Sequence, residues 1–219
     1  MVFIEDLSAS PRFPDFGKTE SSERFASGYE SQQQALQRIP QEHRDIIEFM
    51  METGVRPGEA CALEVRDVDF RNMQAIIQRT WSGSKLRETT KGKSKRWIPL
   101  SDKAYEILER NVINSLKNTF VFINSVTKRG YRQEFIRRVW VKYSKSGVDL
   151  YSATRHTFCT QIVEMGASEI EAQGLMGHKD GRSTRRYFHP TNKRQREYVN
   201  NRGKVIAFNV KKGVSGNDT

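Results

Sequence analysis

Apolar residues recur at three-four spacing through most of this chain and alternate in only one short region. A first helical pattern runs from Ser31, its expected cap, to Pro40. A second spans Glu42 to Thr53, with Ile46, Ile47, Met50 and Met51 on one face and Gly54 as its stop. Strand character follows in Val68 to Arg79 and Leu86 to Leu100, strongest in Ala75-Ile76-Ile77 and Trp97-Ile98-Pro99-Leu100. A basic turn, Lys91-Gly92-Lys93-Ser94-Lys95, precedes the last strand. Ser101 then caps a helix that turns Ala104, Ile107, Leu108 and Val112 inward. Phe120-Val121-Phe122-Ile123 is a short apolar run.

The second half reads as helical. Between Gln133 and Lys145, Phe135, Ile136, Val139, Trp140 and Tyr143 form a stripe, a core face rather than a base-stacking platform. Another helix opens at Tyr151 and ends near Gly166. Ser168 and Glu171 form a capping box for the next, which ends at Gly174 or Met176. His178 sits at the turn, and Tyr187 on a short basic helix. Thr191 or Asn192 begins a last basic helix, to about Asn200, and Val205-Ile206-Ala207-Phe208 suits a final strand. No internal repeat is visible. Residues 1–30 have no periodicity, are rich in Pro, Gly and Ser, and are mildly acidic. They read as a flexible tail before a domain over 31–200 and a C-terminal tail over 201–219.

The chain has 219 residues and a formal net charge of +11, enough for a sizeable core and an excess that favours a polyanion, with nucleic acid first and an anionic membrane second. A basic surface that serves only solubility fits the same number. No run is long enough to cross a membrane, and Glu5 and Asp6 directly after the first four residues exclude a secretory signal. Cys61 and Cys159 stand far apart in apolar contexts, as buried thiols in a reducing compartment, and no Cys/His spacing suggests a metal. A cytoplasmic location is expected.

Four stretches carry candidate chemistry. Pro57 suits a first helical position and puts Arg56 at the cap, where free backbone N–H groups and a guanidinium would both address an anion; an ordinary surface arginine at a turn is the other reading. Lys91, on a hairpin tip, is either plainly exposed or able to reach a phosphodiester and give up a proton. Arg155 opens the helix of Tyr151-Ser152-Ala153-Thr154-Arg155-His156-Thr157-Phe158. In Leu175–Pro190, His178 precedes Arg185, Arg186 and Tyr187; a phenol is a competent nucleophile when its proton is removed, and the arginines would steady a phosphate under attack.

Together these stretches resemble the catalytic domain of the tyrosine recombinases, the phage-type integrase family. The matching segments are Thr53-Gly54-Val55-Arg56-Pro57-Gly58-Glu59, Thr90-Lys91-Gly92-Lys93 leading to Arg96, Arg155-His156-Thr157-Phe158, and Leu175-Met176-Gly177-His178 with Tyr187 nine positions on. They stand in the family's order across roughly residues 31–200. The resemblance implies a mainly α fold with a small antiparallel β-sheet (α+β). It implies that Tyr187 attacks a DNA phosphate to give a 3′-phosphotyrosyl bond, that Arg56 and Arg155 clamp the phosphate, that His178 hydrogen-bonds it, and that Lys91 protonates the departing 5′-oxygen. It implies no metal and no nucleotide cofactor, and a homo-tetramer on double-stranded DNA during recombination. Lys93, Lys95, Arg96, Arg137 and Arg138 are the expected backbone contacts.

Two departures follow. The family usually has His or Lys three residues before the second arginine; here it is Ser152, a poor proton acceptor. On a helix neither Tyr151 nor His156 is expected to stand in for it, and a histidine at 152 is expected to speed cleavage. Residues 1–30 are also too short for the helical DNA-clamping domain that usually precedes the catalytic one. Two further readings share the residues: a type IB topoisomerase-like nicking enzyme, and a DNA-binding regulator with weak or no cleavage, which Ser152 favours.

Overall fold

The computed structural model describes residues 28–88, 95–114, 119–178, 180–188, 196 and 200. Helix α1 (Tyr29–Arg38) starts ahead of the expected Ser31, because Gly28 already accepts from the Gln32 N–H at 3.1 Å. Packing explains the extension: Gln32 is buried and its side chain donates to Ala153 O at 2.6 Å. Helix α2 (Gln41–Thr53) is the central element. Ile46, Ile47, Phe49 and Met50 are all buried on it, and α1, α3 (Pro57–Ala60), α4 (Asp102–Asn114), α5 (Gln133–Tyr143) and α6 (Thr157–Glu164) pack around it.

Gly54 ends α2 at φ 63°. A Cβ there would come within 2.5 Å of the Phe158 ring, so both the left-handed turn and the α6 contact require glycine.

The sheet is small and antiparallel, in the order β1 (Val68–Asp69), β2 (Gln74–Ile77) and β5 (Arg96–Pro99). Ala75 and Ile98 face each other across it and are buried. A separate hairpin joins β3 (Thr80–Ser82) to β4 (Lys85–Arg87). The long strands expected over 68–79 and 86–100 are therefore shorter and more numerous. Asp69 breaks the first, its side chain accepting from the Asn72 N–H at 3.1 Å in a turn.

The α5 stripe is core, as its spacing indicates: Ile136, Val139 and Trp140 are buried, and the indole donates to Val148 O at 2.9 Å. The helix expected from Tyr151 begins instead as a π-helical turn over Ser152–His156 before α6. Helix α7 (Glu169–Met176) has the expected Ser168/Glu171 capping box. Helix α8 (Arg182–Arg185) stops short of Tyr187, which lies in the turn after it and donates its N–H to Thr184 O at 3.0 Å. Cys61 and Cys159 are both buried. Among the described residues no helix is long and apolar enough to cross a membrane. Of the expected last basic helix only Arg196 and Asn200 are described, both helical; the strand at Val205–Phe208 and residues 1–27 and 201–219 lie outside the described residues.

Candidate active site

Arg56 caps α3 and Glu59 is that helix's third residue, so the carboxylate reaches back to the Arg56 N–H at 3.1 Å. The same carboxylate takes the Arg56 guanidinium at 2.9 Å and Nη2 of Arg96 at 2.7 Å. Strand β5 delivers Arg96 to this place from 37 residues further along the chain. Burial would raise the Glu59 carboxyl, but its bonds and charge contact with Arg96, and then Arg56, outweigh this and hold it at about 2. Glu59 is a charged anchor for two arginines. It stands in the recombinase-like motif, but its role depends on Arg96, which no local spacing reveals.

Arg155 is completely buried. It donates to Gly54 O at 2.7 Å and to Met176 O, so it bridges the turn before Arg56 and the turn before His178. Its Nε has no partner among the described residues, and no carboxylate there lies within ion-pair distance of it. Burial, and then the charge of Arg56, lower its pKa to about 10, which leaves it a cation at neutral pH. A buried cation bonded only to carbonyls is a site short of an anion.

Gly177 closes α7 at φ 59°, and a Cβ there would meet Cδ of Arg96 at 2.6 Å. The close approach brings His178 beside the arginines. Its Nδ1 is 2.9 Å from the Thr184 hydroxyl. Burial first, then Arg155, Arg56, Arg186 and Arg96, push its pKa down to about 4, so the ring is neutral at pH 7. Tyr187 follows. Burial pushes its phenol up to about 12, with Cys159 and Tyr151 adding to the rise and Arg186 and Arg155 opposing it. Such a phenol keeps its proton unless a neighbour removes it.

The Tyr187 hydroxyl is hydrogen-bonded to Nδ1 of His156. His156, not expected to stand in for Ser152, is nevertheless the residue in contact with the Tyr187 hydroxyl. Residues four apart on a helix share a face, and a π-helical turn leaves them just short of one full turn apart. Ser152 is occupied elsewhere: its Oγ donates to Asp149 Oδ2 at 2.6 Å, while Asp149 Oδ1 accepts the N–H groups of Tyr151 and Ser152.

The structure therefore brings together Arg56, Arg155, His178 and Tyr187 from the sequence-derived set, with Arg96 among them. Lys91 and Lys93 lie outside the described residues. Lys95, Arg137 and Arg138 are exposed, and Arg137 is 3.6 Å from Glu134. Arg185 is tied to Glu169 at 2.9 Å and Arg186 is exposed.

This mainly helical fold has counterparts among known proteins. The model of the phage integrase family matches residues 28–194, and the chain belongs to that family. Tyrosine recombinase XerC of Staphylococcus carnosus (strain TM300) is 29% identical over 168 residues, covering 72% of this chain and 52% of that protein. XerC of Corynebacterium glutamicum is 29% identical over 167 residues, covering 71% of this chain and 49% of that one. The chain thus spans about half the length of these relatives. Among solved structures, the Tn1549 transposon integrase in complex with transposon right end DNA superposes with a TM-score of 0.68 at 20% identity, covering 83% of this chain and 66% of that one. The catalytic domain of bacteriophage HP1 integrase gives 0.57 at 18% identity, covering 80% and 93%. These structures share the fold.

Proposed function

We propose that residues 31–200 are the catalytic part of a site-specific DNA recombinase that cleaves and rejoins DNA through a 3′-phosphotyrosyl bond at Tyr187. One observation carries this reading. Arg155 is a buried cation with no carboxylate partner among the described residues, anchored between the turns that present Arg56 and His178. A phosphodiester supplies the missing anion. Arg155 and Arg56 hold its non-bridging oxygens and neutralise charge as the pentavalent transition state forms. A neutral His178 donates a hydrogen bond to the same group without repelling the arginines further. Tyr187 attacks phosphorus, and Lys91 protonates the departing 5′-oxygen. The bond energy is kept in the phosphotyrosine, so rejoining needs no nucleotide.

DNA engages the exposed cations Lys95, Arg137 and Arg138 together with Lys93, and recombination places four copies on two duplexes. The site of action is the cytoplasm of a bacterial or archaeal cell. The regulator reading draws on Ser152; the His156–Tyr187 contact supports cleavage over it.

Covalent trapping is the test. Wild type and Tyr187→Phe are incubated with nicked suicide duplexes from a pool of candidate sites. A denaturant-resistant adduct mapped to Tyr187, and absent in the variant, is the expected result. Tight, salt-sensitive binding with no adduct would sink the reading, and relaxation of supercoiled DNA by the monomer would shift it to a topoisomerase.

A further inference from the structure

We infer that His156 is the proton acceptor for Tyr187, an inference that rests on the proposed function. Position 152 holds a serine whose hydroxyl is committed to Asp149 at 2.6 Å. The nucleophile's proton therefore needs another destination. The Tyr187 hydroxyl is already bonded to Nδ1 of His156, 31 residues earlier in the chain. With Nδ1 accepting, the ring proton sits on Nε2.

The surroundings favour transfer. His156 is buried at 5% exposure, so bulk water does not compete for the proton. The Tyr151 ring packs edge-on against the imidazole at 4.9 Å and fixes its plane. Asp149, which caps the same turn, carries the negative charge that a protonated His156 would face, and the two charges attract. The π-helical turn supplies the register. The Thr157 N–H and hydroxyl both donate to Ser152 O, the hydroxyl at 3.1 Å, which holds His156 in place between Tyr151 and Tyr187.

The step balances. A bond forms between Tyr187 Oη and phosphorus as the bond from phosphorus to the 5′-oxygen breaks. The phenol proton passes to His156 Nδ1, and the departing oxygen takes a proton from the Lys91 ammonium. Rejoining runs both transfers backwards.

The experiment compares adduct formation by wild type, His156→Gln, His156→Ala and Lys91→Ala on suicide duplexes with an ordinary 5′-oxygen or a bridging 5′-sulfur at the scissile phosphate. A thiolate leaves without an acid, so sulfur rescues a lost acid but not a lost base. Both His156 variants are expected to bind DNA within about twofold of wild type and to cleave at least ~100-fold more slowly. Their loss persists on sulfur, whereas that of Lys91→Ala is largely restored. Glutamine keeps a polar group of similar reach, so His156→Gln decides the matter where the alanine variant melts early. A His156→Gln rate within about threefold of wild type, or one restored by sulfur, overturns the inference alone. A wild-type chain that forms no adduct overturns the function reading, and this inference with it.

Discussion

Glu59 takes Arg96 at 2.7 Å through Nη2 and 3.3 Å through Nη1, while holding Arg56 on the same carboxylate. One buried anion thus sets the positions of two cations that surround the proposed phosphate site. Replacing it by Glu59→Gln leaves both arginines without their counter-charge. Melting should show a loss of about 3 kcal/mol, and trapping assays a cleavage rate down by about 100-fold. The depressed carboxyl also has a pH signature. Its folded pKa of about 2 lies below the ordinary 4.5, so its contribution of about 3 kcal/mol is complete above pH 4.5. It is lost as pH falls from there towards 2. Glu59→Gln should flatten acid denaturation in that window; an unchanged curve would count against the anchoring role.

Ser152→Ala should cleave within about threefold of wild type, because it removes only the bond to Asp149 Oδ2, while two backbone N–H groups still hold the carboxylate through Oδ1. Ser152→His, which the recombinase pattern alone suggests as an improvement, should bring no gain. The position is 4% exposed, and a larger ring there displaces the cap beneath His156. A faster Ser152→His enzyme would contradict this.

Gly177→Ala places a Cβ 2.6 Å from the Arg96 side chain and forces a left-handed residue to carry a side chain. The strain is about 1–2 kcal/mol, and Arg96 must move. Cleavage should fall well beyond what the stability loss explains, with DNA affinity little changed. Single-turnover rates and binding isotherms on one DNA separate the two.

His178 titrates low, at about 4 against an ordinary 6.5. The folded state resists its protonation and the unfolded state does not. Stability is therefore lost as pH falls from about 6.5 towards 4. His178→Asn should lose less over that interval, as read by melting temperature at stepped pH. Proximity of a DNA phosphate reverses the local field, so bound DNA should raise the His178 pKa, measurable as its ring-proton shift.

Arg137→Ala and Arg138→Ala should weaken DNA binding across sequences and reduce the slope of log affinity against log salt by about one each. Both side chains lie exposed on α5. An unchanged slope would take α5 out of the DNA path.

Much of the fold was legible in the chain because it is written at short range. The α2 face, the Gly54 stop, the Ser168/Glu171 box and the α5 stripe each depend on residues within a turn or two of each other, and each formed as its spacing indicated. The α1 start and the strand lengths were not legible. The first was decided by Gln32 docking on Ala153 and the second by the Asp69 turn.

The sequence alone determined which chemistry-bearing residues exist and, for most, which local position they occupy: Arg56 at a helix cap, Arg155 early in a helix, His178 at a turn; Tyr187, expected on the short basic helix, lies just beyond it. Tertiary structure alone decided their partners. Arg96 reaches Glu59 across 37 residues, His156 reaches Tyr187 across 31, and Arg155 ties Gly54 to Met176. The reason is physical. Helical and strand periods fix a side chain's direction relative to its own backbone, whereas the group it meets is set by how separate elements pack around α2.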